Sequence, residues 1–205
     1  KKSSILGFRK LTHTMLESSR SLLESFGETE KNRPDVFILT GDVDEGKTAT
    51  ARRIVDQLKD KGWNIRGLLS TKKMDDPEKH GYFIKDYTSG KKALLCSQNP
   101  AQGSIKTGRF YFSEEGMKFG RNVLLQSLEH PTDLIVIDEL GPLELNDKGW
   151  APAIEQLLMK SKTPHLWVVR EKLVNIIMRK WHIGDVTVFN IKEDSIEEMI
   201  ADIRK

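Results

Sequence analysis

Gly41-Asp42-Val43-Asp44-Glu45-Gly46-Lys47-Thr48 places two glycines, a lysine and a hydroxyl at the spacing G-x-x-x-x-G-K-[ST]. That spacing suits a phosphate-binding loop, whose backbone N–H groups converge on an anion beside the positive end of a helix. A second set of chemically capable residues is Asp138-Glu139, which follows the apolar run Leu134-Ile135-Val136-Ile137. An acid at the C-terminal end of a buried strand lies where open α/β sheets bind ligands. Asp138 is therefore expected to hold the shell of a magnesium ion, with the Thr48 hydroxyl as a direct ligand. Glu139 can orient or deprotonate a water, which favours attack by water over attack by a substrate hydroxyl.

The elements that must position these groups are legible around them. Val36-Phe37-Ile38-Leu39-Thr40 reads as a buried parallel strand leading into the loop. Ala49 to Lys61 places Ala51, Ile54, Val55 and Leu58 on one stripe, so an amphipathic helix leads out of it. Trp63 to Leu69 reads as a second strand, and Lys72 to His80 as a charged loop. Tyr82–Tyr87, the turn Thr88-Ser89-Gly90 and Lys91–Cys96 read as an antiparallel hairpin inserted into the plan. Gly108 to Phe112 reads as a short strand, and Ser113 caps a helix running to about Leu128. From Leu134 onward strands at Leu134–Asp138, His165–Val169 and Val186–Ile191 alternate with helices at Ala151–Met159, Glu171–Lys180 and Ser195–Ile203. The expected fold is α/β, with a mostly parallel central sheet and helices on both faces.

A chain of 205 residues can bury one substantial core. Its 33 basic and 30 acidic residues give a formal net charge of +3, a near balance without the electrostatic footprint of nucleic-acid binding. The single cysteine, Cys96, excludes an intramolecular disulfide and suits the cytoplasm. No apolar run approaches the length of a membrane span, and the five histidines show no metal-ligand spacing. Residues 1 to 33 differ in composition: Phe8, Leu11, Met15, Leu22 and Phe26 recur at helical spacing among polar residues. An amphipathic helix and linker are expected there, ahead of a domain over 34–205. That helix could dock on the domain, pair with a second copy, or join an upstream domain, since the sequence opens on Lys1 rather than Met.

Leu134 to Asp138 resembles the Walker B strand of nucleotide hydrolases. The continuation Asp138-Glu139-Leu140-Gly141-Pro142-Leu143-Glu144-Leu145 resembles the D-E-I-G-P-M-E-L signature of the THEP1-type nucleoside-triphosphatases. Gly81-Tyr82 is similar to that family's R-x-G-F segment, and Gly108-Arg109-Phe110-Tyr111 to its G-R-Y strand. The resemblance covers residues 35 to 205. It implies a RecA-like P-loop fold and Mg²⁺-dependent hydrolysis of ATP, GTP and related triphosphates to diphosphate and phosphate, slowly and with broad base choice. Carried over by position, Gly41, Asp42, Val43, Asp44, Glu45, Gly46, Lys47, Thr48 and Ala49 form the nucleotide-binding segment, and Lys47 contacts the β and γ oxygens. Thr48 and Asp138 serve magnesium, and Glu139 is the general base. Gly141 and Glu144 belong to the signature without an assigned chemical step, Glu144 as a cap or brace of the turn. Arg109 and Arg170 are candidates for stabilising charge on the phosphates.

Two departures from the family pattern stand out. Val43 and Asp44 replace Pro and Gly of its G-x-P-G-x-G-K-T loop, so Asp42, Asp44 and Glu45 put three carboxylates beside a polyanion. Pointing inward, each would repel the triphosphate by about 1 kcal/mol in a wet site, so they are expected to face outward, or else binding is weak and strongly magnesium-dependent. Ser70-Thr71-Lys72-Lys73 replaces the family's T-x-E-V-R, and Lys79 stands for an arginine, which keeps charge but loses bidentate geometry. Two other readings remain open from the residues: a nucleotide-sensing module with little turnover, and a P-loop kinase or dethiobiotin synthetase-like ligase.

Overall fold

Val36–Gly41 (β1) is buried along its whole length, which is why its sequence is apolar without alternation. The computed structural model describes residues 33–72 and 80–205. The helix and linker expected before residue 33, and the charged loop with Lys73 and Lys79, lie outside the described residues. Gly46, at φ 98°, turns the chain out of the loop into helix α1, Lys47–Asp60. Only glycine adopts that left-handed conformation without steric cost. Ala51, Ile54, Val55 and Leu58 are the buried stripe of α1, as their spacing predicts.

Eight more strands follow: β2 Ile65–Lys72, β3 Gly81–Asp86, β4 Lys92–Ser97, β5 Ile105–Thr107, β6 Phe110–Phe112, β7 Leu134–Leu140, β8 His165–Arg170 and β9 Val186–Asn190. They form one sheet in the order β5-β6-β4-β3-β2-β7-β8-β1-β9. β2, β7, β8, β1 and β9 are parallel, while β3, β4, β6 and β5 are antiparallel. The expected hairpin insertion thus extends the parallel sheet at its β2 edge. The second strand begins at Ile65 rather than Trp63, and Gly108, at φ 57°, forms the turn between β5 and β6 rather than a strand.

Five further helices are α2 Glu114–Leu125, α3 Pro142–Leu145, α4 Ala151–Lys160, α5 Val174–Lys180 and α6 Ile196–Ile203. Ser113 caps α2 by accepting from the Gly116 N–H, as expected. α1 and α6 pack with Leu39, Val136 and Val168 on one face of the sheet. α2, α4 and α5 pack with Ile38, Ile137 and Trp167 on the other. β8 lies between β1 and β7, so the chain leaves β1 toward β2 over one face and leaves β8 toward β9 over the other. Such a reversal opens a crevice at the carboxyl ends of the strands.

Candidate active site

The loop from Gly41 to Gly46 sits on this crevice. Lys47 is buried, 6 % exposed, and its Nζ donates to the carbonyls of Gly41 at 3.1 Å and Asp42 at 2.5 Å. The ammonium therefore lies folded inside the loop. Ala49 continues the first turn of α1.

β7 brings the acids to the same place. The Thr48 hydroxyl donates to Asp138 Oδ1 at 3.2 Å, joining residues ninety positions apart. Asp138 is fully buried. Its other oxygen accepts from the Ser70 N–H at 3.0 Å, and the Ser70 hydroxyl donates to the Asp138 carbonyl at 2.9 Å. Burial pushes the Asp138 carboxyl up to about 7, against the lowering pull of the Ser70 and Thr48 bonds and the Lys47 charge. A buried carboxylate beside a hydroxyl is a hard oxygen pair that fits a small divalent cation. Among the described residues no group of three His, Cys, Asp or Glu could hold a metal by itself. A cation here would complete its shell with phosphate oxygens and water, which is how magnesium is usually held.

Glu139 sits in an irregularity of the β7–β8 ladder: Asp138 pairs with Val168 and Leu140 with Val169, leaving Glu139 unpaired between them. Bulges re-aim side chains, and this one directs Glu139 toward β8, where Arg170 Nε donates to its Oε1 at 2.5 Å. Arg170 pairs in register with Gly41 and so stands level with the start of the loop. Both side chains are part-exposed, 46 % for Arg170 and 28 % for Glu139.

Glu144 is the brace that the sequence left as an option. Only 3 % exposed, it accepts from the Gly141 N–H at 2.8 Å and the Trp150 N–H at 3.0 Å, tying the starts of α3 and α4 together. Burial raises its carboxyl to about 7, although both N–H groups favour the ionised form. Gly149, at φ 56°, leaves room for it, because a Cβ there would overlap the Glu144 carboxylate.

Two of the loop's three acids, Asp44 and Glu45, have cationic partners. Asp42, Val43 and Asp44 are exposed, and Lys72 lies 3.3 Å from Asp44. Glu45 accepts from the Asp42 N–H at 2.7 Å and pairs with Lys192 at 2.5 Å, which holds its carboxyl below the usual range. Arg109, which the sequence offers as a candidate for stabilising charge on the phosphates, stands apart from this site. It lies at the β5–β6 turn with its guanidinium over the Phe110 ring, and β4, β3, β2, β7 and β8 separate β6 from β1. Thus Lys47, Thr48, Asp138, Glu139 and Arg170 come together at the crevice, with Gly141 and Glu144 supporting the turn behind them. Lys192 belongs to no motif, and Ser70 reads from sequence only as a departure from the family's T-x-E-V-R, with no role toward Asp138. Their places follow from strand order, which puts β2 beside β7 and β9 beside β1.

A family model described as NTPase matches residues 36–204. A nucleoside-triphosphatase THEP1 of Pyrococcus abyssi is 28% identical over 169 residues, covering 82% of this chain and 92% of its own length. Its counterpart from Sulfolobus acidocaldarius is 31% identical over 142 residues, covering 69% of this chain and 80% of its own. Among solved structures, THEP1 from Aquifex aeolicus superposes with a TM-score of 0.66 at 18% identity, covering 83% of this chain and 99% of that one. A human cancer-related nucleoside triphosphatase superposes with a TM-score of 0.64 at 22% identity, covering 83% of this chain and 95% of that one. At these identities the superpositions show the shared fold.

Proposed function

The chain belongs to the NTPase family that includes the THEP1 nucleoside-triphosphatases, and on that premise we propose that residues 34–205 hydrolyse nucleoside 5′-triphosphates to diphosphate and phosphate with Mg²⁺. The observation that carries this reading is the 3.2 Å bond between the Thr48 hydroxyl and Asp138. It joins the phosphate loop to the acidic strand at one point. ATP and GTP are the expected substrates, with broad base choice and slow turnover. Cytoplasmic residence belongs to the same proposal and rests on the single cysteine. No helix among the described residues is long and apolar enough to cross a membrane.

Each residue has a role its surroundings suit. Loop N–H groups from Gly41 to Ala49 orient the phosphates, and Lys47 leaves its loop carbonyls for the β and γ oxygens. Thr48 and Asp138 would hold magnesium, which when bound neutralises charge on the transferring phosphoryl group. Ser70 keeps Asp138 oriented. Glu139 takes a proton from the attacking water.

Phosphate release from ATP, GTP, CTP and UTP, with Mg²⁺ and with chelator, tests the reading. Metal-dependent release is expected, abolished in Lys47→Ala and in Glu139→Gln, with nucleotide binding retained in Glu139→Gln. Normal hydrolysis by Glu139→Gln would remove Glu139 as the base. Nucleotide binding without phosphate release in the unmodified chain would favour the sensing module.

A further inference from the structure

Arg170, offered by the sequence as a candidate for stabilising charge on the phosphates, occupies a position that ties it to the base as well. It ends β8, the strand between the loop strand and the acidic strand, and its register partner is Gly41 at the start of the loop. Neighbouring strands lie about 4.8 Å apart, so its backbone stands one strand from each half of the site. In the structure its Nε is bonded to Glu139 Oε1 at 2.5 Å, while Lys47 is engaged with the carbonyls of Gly41 and Asp42. At 46 % exposure the guanidinium is not locked by packing.

From this juxtaposition we infer that Arg170 gates the base: it holds Glu139 until a γ-phosphoryl group draws the guanidinium away, so that Glu139 is released to water only when a triphosphate is bound. The inference rests on Glu139 as the base. A carboxylate offers one negative charge. A terminal phosphoryl group offers up to two, on three acceptor oxygens that match the arginine fork. A diphosphate lacks the group that reaches this strand end and leaves the Arg170–Glu139 pair intact. While Arg170 holds it, one acceptor oxygen of Glu139 is occupied by the guanidinium, which disfavours removal of a proton from water. After transfer, Glu139 regains that capacity and Arg170 neutralises charge on the γ oxygens. The water oxygen then bonds to the γ phosphorus, and the bond from phosphorus to the β-bridging oxygen breaks. Its electron pair leaves with the diphosphate, and the water's proton passes to Glu139.

A binding cycle on the full chain tests the gate without relying on turnover. Binding of the β,γ-imido analogue of ATP and of ADP, each with Mg²⁺, is measured by calorimetry for the wild type, Glu139→Gln, Arg170→Ala and the double variant. Removing the competing carboxylate should tighten analogue binding about two- to fivefold, the span of a part-exposed ion pair, and leave ADP unchanged. Arg170→Ala should weaken analogue binding and erase the effect of Glu139→Gln. Its kcat should fall at least about 100-fold, as on loss of a charge-stabilising donor, with an unchanged melting temperature. Arg170→Lys should restore charge and part of the binding but little of the rate. Arg170→Gln stands in if Arg170→Ala does not fold. Equal tightening of ADP and analogue, tightening that persists without Arg170, or wild-type kcat in Arg170→Ala would overturn the gate. If the cycle shows no coupling while Glu139→Gln is inactive, the gate fails and the base stands. If the coupling appears while Glu139→Gln hydrolyses normally, the base assignment fails, and with it the gating of that base.

Discussion

Replacing Glu144 with alanine removes the shared acceptor of two buried backbone donors, the N–H groups of Gly141 and Trp150. Each unsatisfied buried donor costs about 1–3 kcal/mol, so the variant should lose about 2–6 kcal/mol. Glu144→Gln keeps one acceptor oxygen but turns an amide donor toward the second N–H, and should lose about half as much. The loss should depend on pH in a defined direction. The Glu144 carboxyl is raised from 4.5 to about 7 in the fold, so between those values the folded chain binds more protons than the unfolded one. Its contribution therefore falls as pH rises through that window and levels off above it, a change of about 3 kcal/mol. The deficit of Glu144→Ala should accordingly be largest near about pH 5 and shrink toward about pH 8. Urea unfolding followed by tryptophan fluorescence at both pH values reads this directly, using the four tryptophans present. A deficit below about 0.5 kcal/mol, or one that grows with pH, would refute the brace and its raised carboxyl. Gly149→Ala should mimic the loss, because its Cβ would collide with the same carboxylate.

Glu45→Ala removes a negative charge from the loop and frees Lys192, so Mg-ATP should bind more tightly by calorimetry; weaker binding would show that the Glu45–Lys192 pair shapes the loop instead. Gly120→Val should destabilise the fold by about 1–3 kcal/mol, because a Cβ there meets the Trp150 ring; an unchanged urea midpoint would contradict that packing. Chelating divalent metal should stop phosphate release and added Mg²⁺ should restore it, since Thr48 and Asp138 form the oxygen pair proposed to hold the cation.

The loop, its flanking strand and helix, and the acidic strand were readable because each depends on local spacing: glycines for the turn, a four-residue apolar run, a helical stripe. The D-E-L-G-P-L-E-L run marked the turn after β7, but not the two N–H groups that Glu144 serves, since Trp150 joins it only through folding. Arg170 and Arg109 looked alike in sequence, each a cation beside a short strand. Only the strand order separates them, placing one beside the loop strand and the other at the antiparallel edge. Strand order is set by non-local pairing, which no window of the chain encodes. The hairpin was recognised by its turn residues, whereas its continuity with the main sheet was not, and β5 was too short to stand out. The exposure of Asp42 and Asp44 is expected from repulsion alone, whereas Glu45 is partly buried and accepts from the loop's own Asp42 N–H. The lysine partners of Asp44 and Glu45, Lys72 at the end of β2 and Lys192 after β9, come from separate elements and could not be paired by spacing.

Thr48 and Asp138 meet at 3.2 Å, and their joint service to one metal–triphosphate is the claim on which the hydrolytic reading turns. Mn²⁺ binding in the presence of the β,γ-imido ATP analogue, followed by electron paramagnetic resonance, measures it without turnover. One Mn²⁺ per chain is predicted for the wild type, with affinity sharply reduced in both Thr48→Ala and Asp138→Asn and no further loss when the two are combined. Wild-type Mn²⁺ affinity in either variant, or fully additive losses, would contradict a shared metal.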